Sequence, residues 1–306
     1  KTSAFQTWAQ KLQTYATSAE LEQETGFWLE MLEQPVVPLP TETPTENEST
    51  AEQLASRQPI TLEFNPSETQ FLLQHSAQIY DAQLHEILLT VLLLSLQQWT
   101  GQSACLIDLE GHGRESLFPM LDVSRTLGWF TTVYPAYLRL DASDFDSALQ
   151  GIKSQLQTVR QHGIHYGLLR YLASPPLPNV LKALPQASIL FNYLGKFDLA
   201  QSQWALYAES SGAAYSAQNH RNYTLEINGL VTQGCLQLTW AYDECLHSHN
   251  TIAALAQAYR EQLRSLIPPN YQPEEKAMPT EFAWTGLNSA DVDAILDTVE
   301  FEGNES

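Results

Sequence analysis

Apolar positions along the chain follow two periods, and the changes of period divide it. Phe5, Trp8, Leu12, Tyr15, Phe27, Trp28 and Leu32 recur at helical spacing, which predicts helix over 3–33. The pattern stops at 34–58, where "QPVVPLPTETPTENESTAEQ" is rich in Pro, Thr and Glu and reads as an acidic loop or linker. "ITLEF" is a short strand. Asn65, Pro66 and Glu68 then form a helix start, with cap, first-turn proline and capping-box partner. Helices are predicted over 67–80 and 83–99, the second apolar nearly all round and hence central, with Gly101 as its stop.

A strand is predicted over 104–110. Residues 125–140 are aromatic and β-branched, hence strand-like, but Pro135 predicts that their middle lies outside a regular ladder. An amphipathic helix over 144–161 and a separate short one, "YGLLRYLA", follow, the latter closed by Pro175 and Pro176. "SILFNYLG" is a buried strand. "YTLEINGLV" and "CLQLTWAYD" alternate about a short glycine-containing turn and predict a hairpin, with Leu236, Leu238, Trp240 and Tyr242 on one face. A long helix is predicted over 250–267, then a linker and a short acidic helix pattern at 288–300. The irregular alternation of strands and helices, with hairpin strands near the end, predicts a mixed α+β sandwich.

Charge narrows the function. Fifteen basic against 35 acidic residues give a net charge of -20, a field that repels nucleic acid and anionic membranes. The longest apolar run, Ile87–Leu96, is too short to span a bilayer. Three scattered cysteines, Cys105, Cys235 and Cys245, predict a reduced, cytoplasmic setting. Dinucleotide, P-loop, HExxH and GxSxG signatures are absent. His162 and His165 are too few for a metal site, and with His247 and His249 they read as surface or structural residues.

The remaining chemistry sits at strand ends: Glu110 with His112, Arg114 and Glu115; "GWFTTVYP"; and "FNYLG" with Asn192 and Tyr193. A carboxylate beside amide and phenol donors suits proton abstraction next to a carbonyl. Taken singly, these residues read first as caps and turn formers.

In order, "EGHGRE" (110–115), "RTLGWFTTVYP" (125–135), "GIHYGLLRYL" (163–172) and "FNYLGKFD" (191–198) resemble the successive motifs of epimerization domains of non-ribosomal peptide synthetases, in the condensation-domain superfamily. The resemblance covers about residues 1–270. It implies a chloramphenicol-acetyltransferase-like fold of two lobes with a tunnel between them. Residues 1–33 would be the helical end of the first lobe, 34–58 a loop, 59–268 the C-terminal lobe, and 269–306 a linker with a docking-type or ordinary linker helix. It implies Glu110 as a catalytic acid/base, with Asn192 and Tyr193 close to it. His112, Trp129, Phe130, Thr131, Tyr134, His165 and Tyr166 would line the tunnel, and Arg114, Glu115 and Arg125 would support the loop.

The implied reaction is L-to-D conversion of an aminoacyl or peptidyl thioester carried on the phosphopantetheine of a carrier protein. No cofactor and no metal is expected on the chain itself. The family's HHxxxDG motif is absent, and the chain begins at Lys1. The expectation is therefore a second lobe that lacks its N-terminal lobe and is inactive alone. The expected partners are that lobe, a peptidyl carrier protein and, through the acidic helix, a following synthetase subunit. A peptide-bond-forming condensation domain and a non-catalytic carrier-docking platform are the alternatives.

Overall fold

The computed structural model describes residues 2–42, 59–197 and 221–271. The predicted helix at 288–300 and most of the acidic 34–58 segment lie outside the described residues. Helices α1 (Phe5–Tyr15), α2 (Ala19–Gln23) and α3 (Thr25–Leu32) lead in, where one helix was expected. The run breaks because the Ser18 hydroxyl accepts from the Leu21 amide and restarts the helix. Strand β1 (Ile60–Phe64) is followed by α4 (Pro66–Gln70), a π-turn at Phe71–His75 and α5 (Ser76–Tyr80). The predicted capping box is present, with both its Asn65–Glu68 bonds at 2.9 Å. Helix α6 (Leu84–Thr100) ends at Gly101, whose φ of 74° is the left-handed stop the sequence signalled.

Strands β2 (Ala104–Gly111) and β3 (Thr132–Arg139) pair antiparallel. Helix α7 (Phe145–Tyr171), a short α8 (Leu177–Ala183), β4 (Ile189–Lys196), the hairpin β5 (Leu225–Thr232) and β6 (Cys235–Tyr242), and α9 (His249–Ser265) complete the fold. The architecture is α+β, as expected. It has one six-stranded sheet, ordered β1-β6-β5-β4-β2-β3, in which β4 runs parallel to both β2 and β5.

Two expectations fail for local reasons. Pro135 lies inside a regular ladder, opposite Asp108. It is tolerated because β3 is an edge strand and its missing N–H leaves no neighbour unpaired. The two helices expected after residue 144 are one, 27 residues long. Gly163 is a contact rather than a break, since a Cβ there would sit 2.7 Å from the Tyr134 ring. The hairpin turn is as expected, with Gln233 and Gly234 at φ 50° and 75°, the signs a tight two-residue turn requires.

Strand alternation gives the sheet two unlike faces. Leu109, Phe191, Ile227 and Trp240 stand in one register row and are buried. Trp240 packs edge-on to Tyr259 of α9, so this face carries the helices. Burying each such side chain contributes about 1.5–3 kcal/mol. Leu21, Trp28 and Leu32 of the leading helices join the same core. Among the described residues, no single helix is long and apolar enough to cross a membrane, and apolar α6 is buried along most of its length. All three cysteines are free thiols.

Candidate active site

The row one residue further along the strands is polar and half-buried. Asn192 pairs with Asn228, and Asn228 with Thr239. Glu110 occupies the β2 position of this row, and its Oε2 accepts a hydrogen bond from Asn192 Nδ2 at 2.8 Å. The sheet therefore brings together two residues of separate motifs, 82 positions apart. Partial burial raises the Glu110 carboxyl above its ordinary value, which makes it a stronger base when ionised. Asn192 orients the carboxylate by fixing one of its oxygens.

Two residues back on the same face is Asp108. The Tyr223 hydroxyl donates to its Oδ2 at 2.8 Å. Burial pushes the Asp108 carboxyl up to about 6, and the Tyr223 bond only partly opposes this. Burial and the Asp108 charge both push the Tyr223 phenol up. Asp108, Tyr223 and Asn228 were missed in the sequence. The available signal was period two: i−2 from a strand-end glutamate shares its face.

The loop after Glu110 is built around Arg114. Its guanidinium donates to the carbonyls of Val123, Thr126 (3.0 Å) and Gly128 (3.3 Å) and lies 4.0 Å over the Phe130 ring. Gly113, at φ 67°, is required because a Cβ would overlap the Phe130 carbonyl. His112 is exposed, and its Nδ1 accepts from the Arg114 amide at 2.9 Å. Glu115 does not pair with Arg114. It turns inward, 3.9 Å from His112, with Oε2 buried and without a hydrogen-bond partner. Arg125 is exposed beside Asp122 and makes none of the carbonyl contacts.

Other predicted residues are not brought to Glu110. Alternation turns Tyr193 to the helical face, where its ring abuts Gly229. Tyr134 stands opposite Leu109 on that same face, packed on Gly163, and burial pushes its phenol up to about 12. Phe130 is buried in a small cluster with Trp8, Val123 and Ile164. Tyr166 is buried against Trp28. His165 lies beside Tyr15 and Glu24. Trp129 and Thr131 are exposed, Trp129 to 85%.

The condensation-domain family model matches residues 1–282. The chain belongs to this family. The similar curated proteins are peptide synthases. A linear gramicidin synthase of Brevibacillus parabrevis is 41% identical over 276 residues, 87% of this chain but 4% of that protein. Tyrocidine synthase 1 of the same organism is 32% identical over 97% of this chain and 28% of its own length. Among solved structures, the epimerization domain from the third module of tyrocidine synthetase B is 31% identical, with a TM-score of 0.77 over 87% of this chain and 59% of that one. The condensation domain of the monacolin K polyketide synthase, at 17% identity and a TM-score of 0.62, shares the fold, with 88% of this chain and 62% of that one covered. The chain thus spans a small part of the synthases and less than two thirds of either solved domain. It is a condensation-superfamily domain of the non-ribosomal peptide synthetase type.

Proposed function

We propose that this condensation-family domain serves epimerization, with Glu110 as one of two proton-transfer groups. The observation that carries the reading is the Glu110–Asn192 pair on the polar face of the sheet. The 31% identity to a solved epimerization domain supports it. The substrate is an aminoacyl or peptidyl thioester on the phosphopantetheine of a carrier protein. The Glu110 carboxylate takes the α-proton as the Cα–H bond breaks, and the electron pair moves into the thioester carbonyl as an enolate. A second group, on the opposite face of the α-carbon, returns a proton and gives the D form. Burial favours the uptake step, because a raised carboxyl holds the abstracted proton more firmly.

Inversion needs the opposing group, and no His-His pair occurs in these 306 residues. Activity is therefore assigned to the complete two-lobed domain in a cytoplasmic assembly line, and this chain by itself is inactive. Peptide-bond formation is the second reading. The family model fits it equally well, and it does not require Glu110. The two separate on Glu110→Gln in the complete domain. Epimerization predicts a loss of α-proton exchange of about 10²- to 10⁴-fold, the usual worth of a positioned acid/base. Retained exchange removes Glu110 from the mechanism.

A further inference from the structure

His162 and His165 lie three apart on α7 and so share one face of the helix. The sequence offered no third ligand near them. The structure supplies one from 138 residues away: Glu24, at the corner between α2 and α3. Its Oε2 contacts the Nδ1 of His162 and lies 3.2 Å from the Nδ1 of His165. The three ligand atoms all lie within 4.8 Å of one another.

The geometry at His165 is unusual for an ion pair. Its Nδ1 is buried and has no hydrogen-bond partner, although the carboxylate oxygen is 3.2 Å away. Its Nε2 lies 3.5 Å from the Tyr15 hydroxyl. With the proton on Nε2 and directed at Tyr15, the Nδ1 lone pair faces an anionic oxygen. A positive centre between the two, either the ring proton placed on Nδ1 or a metal ion, relieves that contact. The His162 ring is held in place by Phe27, stacked at 4.1 Å and 22°. The side chains of His162 and Glu24 stay 28% and 22% exposed, which gives an ion a way in.

We infer that Glu24, His162 and His165 form a zinc site, with water in the fourth position. Two imidazoles and one carboxylate suit zinc and its transition-metal neighbours, not magnesium or calcium. Tetrahedral zinc with bonds of about 2.0–2.2 Å spaces its ligand atoms about 3.3 Å apart, close to the separation already present at His165. Tyr15 acts behind His165 by fixing its tautomer. The chain's net charge of -20 favours any cation. The site joins the α2–α3 corner to α7, so the ion is a staple between the leading helices and the sheet domain rather than part of the Glu110 site.

The test uses the 306-residue chain, stripped with a chelator and titrated with zinc chloride by calorimetry, with metal content measured after dialysis. The expected result is one zinc per chain and a raised unfolding temperature. Glu24→Gln, His162→Asn and His165→Asn each weaken binding at least tenfold, the usual scale for losing a ligand or its support, while the remote His75→Asn does not. No saturable binding at tens of micromolar zinc, or binding kept in all three variants, overturns the site. If a variant fails to fold, cobalt in the unaltered chain decides. Intense tetrahedral visible bands are expected, and weak octahedral bands alone overturn the assignment.

Discussion

Asp108→Asn gives a sharp test of the electrostatics of the polar face. Burial raises this carboxyl from 3.8 to about 6. Between those values the folded chain holds a proton that the unfolded chain has released, so stability falls as pH rises through that window. A rise of about two units corresponds to about 3 kcal/mol at neutral pH, which is a ceiling, at about 1.4 kcal/mol per unit. Asparagine does not ionise, and its carbonyl oxygen still accepts from the Tyr223 hydroxyl, which now lies 2.8 Å from Oδ2. The raised value already includes that bond, so asparagine regains most of the shift. The variant is therefore more stable than the parent by about 2–3 kcal/mol at about pH 7.5. The gain disappears by about pH 4, where both side chains are neutral. Urea unfolding of both proteins across this range measures the difference. A variant less stable at the alkaline end, or a gain that does not change with pH, would refute the reasoning.

Three further outcomes follow from the same geometry. Gly163→Ala destabilises the chain by about 1–3 kcal/mol in thermal unfolding, because overpacking against the Tyr134 ring outweighs the gain in helix propensity of up to about 1 kcal/mol. Arg114→Lys cannot reach three carbonyls with one ammonium, and it costs about 1–2 kcal/mol and speeds amide hydrogen exchange across 123–130. Asn192→Ala removes a donor that favours the charged form of Glu110, so the acid limb of the complete domain's exchange rate moves to higher pH; an unmoved limb would show that the pair is not coupled to the chemistry.

What was legible in the sequence was local. The capping box at Asn65 and Glu68, the stop at Gly101 and the hairpin turn at Gln233–Gly234 each encode their geometry within a few residues. Pro135 misled because its tolerance depends on β3 being an edge strand, a property of strand order and not of its neighbours in sequence. Nothing near Gly163 in the chain signals the ring it accommodates, because Tyr134 comes from another element. Glu110 and Asn192 were each visible as strand-end polar residues, but their 2.8 Å contact needs the parallel pairing of β2 with β4. The resemblance implies Asn192 and Tyr193 together beside Glu110, but the two-residue period of a strand separates adjacent side chains. Glu24 carried no signal at all, since nothing near it in the chain announces two histidines.

The central claim is that this fold, in its complete two-lobed form, removes and returns an α-proton. It is tested most directly by loading a carrier protein with an L-aminoacyl group and incubating it with the complete domain in deuterated water. The stereochemistry and deuterium content of the released acid are then measured. The account predicts D product with deuterium at the α-carbon. L product without deuterium, accompanied by peptide-bond formation when a second loaded carrier is supplied, would contradict it.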